Sequence, residues 1–416
     1  MRTLLLFWGF VFLAGKASAL LPVLEANENK SSVSGPVILV SMDGFRADYW
    51  DKVETPRFHE LMRQGVRASS LKPVFPSVTF VNHYSIVTGL FSENHGIVNN
   101  SMWDPETQRK FEISDSEEVD RSEWWEGEPI WVTAEKQGLK TGSMFWVGSS
   151  TEIKGVRPTY WFPYDSSVTR SKRVRQVLDW LDLPAEKRPR FITLYFEDAD
   201  EAGHANGPDS DQVKQAIKAL DNSIGELWDG LKARGIQNEV TLILLSDHGM
   251  ARVDRKNRIR LVNYVKSYEA RVVGKGALSL VWPKSKKEFE LILERVKKNP
   301  GPFIVYEKEK MPQQFHYSRH RRISPLVFLA NLGWYIDSGF LPSIKPKVFG
   351  LHGYDNSLSE MQASFLAVGP RFLKNISVDE VMNVDIYALL AKLLNVEAAS
   401  NDGSLERISK TLHLIK

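Results

Sequence analysis

The sequence predicts an α/β fold: a mostly parallel central sheet with helices on both faces, carrying a smaller α+β insert. Short apolar runs at 36–42, 191–196 and 240–246 are typical of buried strands. Segments with helical periodicity separate these runs. Such alternation favours a parallel sheet, because parallel strands are joined by long crossovers that are usually helical.

Two helices stand out in this alternating region. The first is predicted from about Asp209 to Arg234, where apolar residues recur at spacings of three and four and Gly235 follows as a stop signal. These residues form one apolar face: Val213, Ile217, Leu220, Ile224, Leu227 and Leu231. The second is predicted from Ser171 to Leu183, ending before Pro184.

The character of the chain changes at residues 251–349, which are rich in Lys and Arg and have shorter apolar runs. We interpret this stretch as a subdomain inserted into a domain that spans residues 35–416, with a last core strand at 363–368. Within the insert, His316 and His320 have the i, i+4 spacing of a metal pair. Three neighbouring arginines favour a basic, solvated face there instead.

The N-terminus has the pattern of a secretory signal at residues 1–19, with Arg2, a short apolar run and Ala17-Ser18-Ala19 as a cleavage site. Residues 20–34 are predicted to be a flexible leader. No later apolar stretch has spanning length, so the mature chain is predicted to have no membrane span and to be exported, either to a periplasm or outside the cell.

Composition excludes several chemistries. The chain has no cysteine, which rules out thiol nucleophiles and Cys-ligated zinc and favours a bacterial periplasmic protein. A net charge of only +3 on 416 residues gives no electrostatic case for nucleic acid, so no sequence-specific binding to it is predicted.

Six potential metal ligands follow strand-like runs or stand beside glycine turns. Ligands of open α/β sheets bind outside the carboxyl ends of the strands, so these side chains are expected to converge. Three carboxylates and three imidazoles suit a pair of divalent transition metals; zinc is favoured, and manganese or iron are alternatives. The six are Asp43, Asp200, His204, Asp247, His248 and His352.

Thr79 is the candidate nucleophile. It lies after Pro76 and before an Asn-His segment that can begin a helix. A hydroxyl at a helix N-terminus feels the positive end of the dipole, and a bound zinc would lower its pKa.

These motifs together resemble the nucleotide pyrophosphatase/phosphodiesterase family of the alkaline phosphatase superfamily. The matching segments occur in the family's order and cover nearly all of the predicted mature chain. They are 41–46 (SMDGFR), 79–90 (TFVNHYSIVTGL), 93–97 (ENHGI), 197–204, 246–250 (SDHGM) and 352–356 (HGYDN). Val81 departs from the pattern, since the family usually has proline there. The chain resembles a minimal, catalytic-domain form similar to bacterial members.

The resemblance implies an alkaline-phosphatase-like fold and a role for each site residue. One zinc is held by Asp200, His204 and His352. The other is held by Asp43, Asp247 and His248, with Thr79 as ligand and nucleophile. Asn100 matches an asparagine that binds a phosphate oxygen. Phe80 and Tyr164 resemble the aromatic pair that holds a nucleobase.

The implied activity is hydrolysis of phosphodiester or pyrophosphate bonds of nucleotides. A threonyl-phosphate intermediate forms and a nucleoside 5′-monophosphate is released. The alternative is a lipid or choline-phosphate phosphodiesterase, in which aromatic residues hold a quaternary ammonium. A sulfatase is disfavoured because no cysteine is present to become formylglycine. A relative that only binds is disfavoured because all the ligands and the nucleophile are intact.

Overall fold

The computed structural model describes residues 35–337 and 347–415. The predicted signal peptide and leader, residues 1–34, lie outside these described residues. Twenty strands and eleven α-helices occur in the described part of the chain, together with six short 3-10 helices.

The strands are β1 (Val37–Met42), β2 (Gly65–Ala68), β3 (Leu71–Lys72), β4 (Ser101–Asp104), β5 (Arg109–Glu112), β6 (Thr141–Met144), β7 (Tyr160–Trp161), β8 (Phe191–Phe196), β9 (Thr241–Leu245), β10 (Ala251–Asp254), β11 (Arg258–Arg260), β12 (Ala270–Val273), β13 (Leu278–Pro283), β14 (Phe303–Glu307), β15 (Leu326–Ala330), β16 (Tyr335–Asp337), β17 (Val348–Leu351), β18 (Phe365–Val368), β19 (Ile376–Val378) and β20 (Val381–Met382). The helices are α1 (Pro56–Met62), α2 (Thr79–Thr88), α3 (Ser92–His95), α4 (Ser116–Val119), α5 (Ile130–Lys136), α6 (Arg170–Leu181), α7 (Asp198–Asn206), α8 (Asp211–Ala233), α9 (Lys286–Lys298), α10 (Asp385–Leu394) and α11 (Leu405–Thr411).

An eight-stranded sheet in the order β19-β2-β18-β9-β1-β8-β6-β7 forms the centre of the fold. Only β18 runs antiparallel to its neighbours, β2 and β9, and the other pairs are parallel. The predicted mostly parallel sheet is therefore confirmed. The apolar runs predicted at 240–246, 36–42 and 191–196 lie side by side as β9, β1 and β8.

Both faces of this sheet are buried. On β1, Val37 and Leu39 pack in one apolar core, which includes residues of α2, α5 and α10. Ile38 and Val40 pack in a second core, which includes residues of α1, α6 and α8. Because side chains alternate along a strand, this division places helices on both faces, as the sequence predicts.

Helix α8 agrees with the predicted helix to within two residues at its start. Ser210 caps it, its Oγ accepting a hydrogen bond from the Val213 N–H at 3.3 Å, and so fixes the first helical residue as Asp211. Helix α6 spans Arg170–Leu181, close to the predicted range. None of the helices in the described ranges is both long and apolar enough to cross a bilayer.

The interval 251–349 contains a four-stranded antiparallel sheet in the order β12-β13-β15-β14, together with α9. One face of this sheet, with Leu280 and Leu329, joins the core on the α2 side of the central sheet. The other face, with Phe328, packs in a third core that includes Ile292 of α9. The small sheet therefore shares a core with the main one.

The arginine-rich segment of this interval is only partly the predicted solvated face: His316 and Arg319 are exposed, but the prediction was wrong for Arg322 and His320. Arg322 is only 1% exposed, and its Nε donates to Asp104 at 2.8 Å. Its Nη1 also donates to the carbonyl oxygens of Gly96 and Trp124. His320 is also buried. The charge of Arg322 is tolerated in the interior because a carboxylate and two backbone carbonyls pair with it. These partners lie far from Arg322 in the sequence, so the local run of arginines does not reveal them.

We expect Asp104→Asn to lower the free energy of unfolding by about 3–5 kcal/mol, because it removes the nearer of the two carboxylates that pair with the buried Arg322 and leaves only Glu126, at 3.5 Å. Burial opposes the charge of Asp104, but Arg322 and Arg321 outweigh it and lower its pKa from 3.8 to about 2. This contribution is therefore present above pH 4 and is lost as the pH falls towards 2.

Urea denaturation at pH 7 measures the change. The matched control is Glu290→Gln, which removes an exposed pair with Lys286 on α9 and should cost less than about 1 kcal/mol. Equal losses for the two variants would refute a structural role for the buried pair.

Candidate active site

The three acidic candidates meet at one edge of the central sheet. Asp43 directly follows β1, Asp247 lies two residues beyond β9, and Asp200 is in the first turn of α7, which follows β8. Because β9, β1 and β8 are adjacent and parallel, their carboxyl ends open onto the same crevice.

Two of the histidines reach this crevice from α7 and β17. His204 lies one helical turn after Asp200 on α7, as predicted from their spacing. His352 directly follows β17, which pairs antiparallel with β10 and so returns the chain towards His248. The imidazoles of His248 and His352 stack at 3.6 Å between centroids.

Glycine permits the close approach of α7 to β17. A Cβ on Gly350 would lie 2.5 Å from the carbonyl oxygen of Gly203, so no other residue fits at this position without a shift. The approach lets the carbonyl oxygen of Gly350 accept a hydrogen bond from His204 Nδ1 at 2.9 Å.

Two groups of potential ligand atoms result. In the first, His248 Nε2 lies 3.0 Å from Asp247 Oδ2, 3.6 Å from Asp43 Oδ1 and 3.2 Å from Thr79 Oγ1. In the second, His204 Nε2 and His352 Nε2 are 3.0 Å apart and lie 3.5 and 3.6 Å from Asp200 Oδ1.

The separations of 3.5 and 3.6 Å suit tetrahedral coordination, and those of 3.0 and 3.2 Å are slightly shorter. Ligands at roughly 2.0–2.2 Å from a tetrahedral zinc lie roughly 3.3–3.6 Å from one another. The first group offers four ligand atoms. The second offers three, the number found in catalytic sites that keep one position for water or substrate.

Backbone carbonyls fix the ring nitrogen that each histidine presents. The Nδ1 atoms of His204, His248 and His352 each lie 2.9 Å from a carbonyl oxygen, of Gly350, Gly249 and Ser77 respectively. A carbonyl only accepts, so each Nδ1 carries the proton and each Nε2 presents a lone pair to the crevice. The 3.0 Å approach of two such lone pairs, on His204 and His352, favours a cation between them.

Each carboxylate also keeps one oxygen free. Among the described residues, Asp43 Oδ1, Asp200 Oδ1 and Asp247 Oδ2 are buried and accept no hydrogen bond. The second oxygen of Asp43 accepts from the Tyr195 hydroxyl at 2.6 Å, and that of Asp247 accepts from the Gly44 N–H at 3.2 Å. Buried oxygens without donors are costly unless a cation approaches them.

The pKa shifts of these side chains also favour a cation in the site. Burial, followed by the charges of Asp247 and Asp200, raises the pKa of Asp43 well above its ordinary value. Burial also opposes the charge of Asp247, but His248 and His83 outweigh it and lower its pKa. Burial, with His248 and His204 nearby, lowers the pKa of His352. The like charges that raise the pKa of Asp43 favour a cation among these side chains.

Thr79 is the first residue of α2, as the sequence predicts, with Val78 as the N-cap. Its hydroxyl therefore lies at the positive end of the helix dipole, 3.2 Å from His248 Nε2. The predicted helix start is kept although residue 81 is valine rather than proline.

The remaining predicted residues lie around this centre. Asn100 accepts a hydrogen bond at Oδ1 from the Phe80 N–H at 2.9 Å, which ties it to the first turn of α2. The Phe80 ring packs near Trp125 at 6.2 Å. Tyr164 is 56% exposed, and its ring lies 5.9 Å from Tyr195.

The sequence did not point to Tyr195 as a site residue. It is the one partly exposed residue in β8, and its hydroxyl holds Asp43. A tyrosine next to the last position of an apolar strand is only a weak indication of a site residue. The pairing of β8 with β1 is what brings its hydroxyl to Asp43. His83 was interpreted as a packing or hydrogen-bonding residue. It is buried and lies 3.2 Å from Asp247.

The structure is thus an open α/β sheet with two groups of potential metal ligands at the carboxyl ends of its central strands. Residues 37–355 match the family model of type I phosphodiesterase / nucleotide pyrophosphatase, and the chain belongs to that family. Members of the family depend on metal ions, and Asp43 and Asp200 each lie in a group of side chains that could hold one. The family predicted from the motifs is therefore confirmed.

Curated relatives include human ectonucleotide pyrophosphatase/phosphodiesterase family member 5, which is 37% identical over 91% of this chain and 78% of its own length. Human family member 1 is 38% identical over 92% of this chain and 42% of its own length. A venom phosphodiesterase of Naja atra is 37% identical over 92% of this chain and 46% of its own length. The chain thus spans less than half the length of the last two relatives.

Solved structures of family member 5 share the fold. The murine protein, in an inactive threonine-to-alanine variant in complex with AMP, superposes with a TM-score of 0.86 at 36% identity, covering 91% of this chain and all of that one. The human protein gives 0.86 at 35% identity, covering 92% of this chain and all of that one. The predicted fold class is confirmed.

Proposed function

We propose that this protein is a two-zinc phosphodiesterase that cleaves phosphodiester or pyrophosphate bonds of nucleotides and releases nucleoside 5′-monophosphates. The observation that carries the proposal is the position of Thr79. Its hydroxyl begins a helix and lies 3.2 Å from His248 Nε2, where the two groups of ligand atoms meet. The AMP bound to the murine relative supports a nucleotide ligand.

In this proposal Asp200, His204 and His352 hold one zinc. Asp43, Asp247, His248 and Thr79 hold the other. When bound, the two ions would lower the pKa of the Thr79 hydroxyl and neutralise charge on the phosphoryl oxygens.

Thr79 Oγ1 attacks phosphorus, the bond from phosphorus to the leaving oxygen breaks, and the proton lost by the Thr79 hydroxyl balances the one that the leaving alcohol or nucleotide takes up. A threonyl-phosphate ester results. Water then attacks phosphorus from the opposite side, which releases the 5′-monophosphate and restores the Thr79 hydroxyl. Two in-line displacements give net retention of configuration at phosphorus.

Other residues position the substrate. Asn100 has its Oδ1 occupied by the Phe80 N–H, so its amide N–H groups are left to bind a phosphate oxygen, as an oxyanion donor would. Phe80 follows the nucleophile directly, and Tyr164 lies beyond Tyr195 on the Asp43 side of the site. We assign these two rings to the nucleobase.

The proposed domain organisation follows the sequence, with residues 35–416 as the catalytic domain and 251–349 as an inserted subdomain. We also propose export through the signal at 1–19, to a periplasm or outside the cell. The names of the relatives as ectoenzymes and venom enzymes support that location.

A substrate panel tests the function. We expect kcat/KM for p-nitrophenyl-TMP to exceed that for p-nitrophenyl phosphorylcholine and p-nitrophenyl phosphate by roughly tenfold or more, since base–aromatic stacking contributes roughly 1–3 kcal/mol. Preference for the phosphorylcholine ester would instead favour the choline-phosphate phosphodiesterase. Preference for the monoester would refute both.

Metal content gives a separate test. We expect two zinc ions per chain by elemental analysis, loss of activity in EDTA and recovery on addition of zinc. His204→Ala should reduce the content to about one zinc per chain, because it removes one of only three ligands. His413→Ala, at an exposed position, is the control. A fully active, metal-free protein would contradict the two-metal proposal.

Thr79→Ala should lower kcat by at least about 1,000-fold, as expected when a nucleophile is removed, while both metals stay bound. Thr79→Ser keeps the attacking oxygen and should retain partial activity. Rates are compared on p-nitrophenyl-TMP alongside the zinc content. Substantial activity in the alanine variant would mean that another group attacks phosphorus.

Tyr164→Ala should raise KM for p-nitrophenyl-TMP by about tenfold, from the loss of one stacking contact. It should leave bis-p-nitrophenyl phosphate, which has no nucleobase, much less affected. The ring is 56% exposed, so the melting temperature should not change. Tyr268→Ala, at a 71% exposed position in the insert, is the control. Equal losses on both substrates would refute the stacking role.

A further inference from the structure

A buried imidazole lies directly beneath the proposed active site and belongs to neither proposed ligand set. His83, one helical turn after Thr79 on α2, has no exposed surface. Its Nδ1 lies 2.9 Å from the carbonyl oxygen of Thr79 and 3.2 Å from Asp247 Oδ2. Its Nε2 lies 2.8 Å from Ser41 Oγ, on β1.

The neighbours determine how this ring is protonated. The Thr79 carbonyl and the Asp247 carboxylate only accept hydrogen bonds, so Nδ1 carries a proton and donates it to Thr79. The Ser41 hydroxyl can both donate and accept, and it occupies Nε2. Both ring nitrogens of His83 are therefore used within the protein. Neither presents a free lone pair to a metal, although the ring lies close to Asp43 and Asp247.

His248 has the opposite arrangement. Its Nδ1 donates to the carbonyl of Gly249, and its Nε2 faces Asp247 Oδ2 and Thr79 Oγ1. Of the two histidines near Asp247, His248 therefore has a ring nitrogen available to a metal, whereas both ring nitrogens of His83 contact other protein groups.

Aromatic rings hold the His83 imidazole in place. Its centroid lies 5.1 Å from Trp146 and 5.4 Å from Tyr195, both edge-to-face. The Trp146 indole also donates to the backbone carbonyl of His83 at 3.1 Å. Tyr195 in turn donates to Asp43. The ring is therefore packed against a residue that orients another proposed ligand.

We propose that His83 is a positioning residue that fixes the first turn of α2, and with it the Thr79 hydroxyl, relative to the Asp247 carboxylate. Three parts of the site converge on this ring: Ser41 on β1, Thr79 on α2 and Asp247 beyond β9. A movement of the His83 ring would therefore change the position of the Thr79 hydroxyl relative to the Asp247 carboxylate. This role rests on the proposed function, because it concerns the geometry of attack by Thr79.

Two isosteric substitutions separate the contacts of the ring. In His83→Asn the amide nitrogen replaces Nδ1, so the bond to the Thr79 carbonyl is kept. In His83→Gln the amide group reaches the place of Nε2 and keeps only the contact with Ser41. Both remove the imidazole, so a role as metal ligand predicts equal harm from the two.

We expect His83→Gln to lower kcat on p-nitrophenyl-TMP by 10–100-fold, the effect typical of groups that orient metal ligands, with KM changed less than about twofold. His83→Asn should be about tenfold more active than His83→Gln. Both should keep the zinc content of the wild type. His413→Gln, at an exposed position, is the control for the substitution itself.

Loss of one zinc per chain in both variants would overturn the proposal and make His83 a ligand. An unchanged kcat in His83→Gln would also overturn the proposal, as would a rise in KM without a fall in kcat. If His83→Gln does not fold, Ser41→Ala decides, since it removes one hydroxyl and should lower kcat with KM and zinc content unchanged. An unchanged kcat in Ser41→Ala then overturns the proposal. An inactive wild-type protein would refute the proposed function itself, which is a different result.

Discussion

Two carboxylates buried within 4.8 Å of each other, with a third beside them, are the constraint around which this site is built. Asp43 and Asp247 have almost no exposed surface, the charge of Asp200 acts on Asp43, and each of the three keeps a buried oxygen without a donor. Helices and strands that bring them together must supply positive charge in return. Neutral imidazoles offer lone pairs but no charge, and divalent cations suit this need. A divalent-metal site is thus favoured by the fold itself.

The second requirement is orientation, which the backbone supplies. Carbonyls of Gly249, Gly350 and Ser77 select the same ring nitrogen on three histidines, so all three Nε2 atoms face the crevice. Hydroxyls and amides do the same for the acids, as Tyr195 does for Asp43. These supporting contacts come from segments distant in sequence, and they hold a geometry that a ligand set alone would not specify.

The described part of the 251–349 interval packs against the central sheet. One face of its small sheet shares a core with the central sheet, and Arg322 reaches across to Asp104 and to the carbonyls of Gly96 and Trp124. Asp104 ends β4, the strand that begins directly after Asn100. The residue assigned to the phosphate oxygen is therefore next to an anchored strand.

The sequence by itself determined the parts of this protein that depend on local pattern. Apolar runs located β1, β8 and β9, periodicity located α6 and α8, and ordered motifs identified the family and the proposed ligands. Local pattern also placed Thr79 at a helix start. It misread the surroundings of Arg322, because a run of arginines looks solvated until distant partners are known.

Only the tertiary structure decided the rest. The pairing of β17 with β10 returns His352 to His248, and the approach of Gly203 to Gly350 seats His204. The same holds for His83, whose two ring nitrogens are occupied by groups from three different elements. The physical reason is that a hydrogen bond or a ligand contact depends on distance and direction in space, whereas periodicity records only which face of an element is buried.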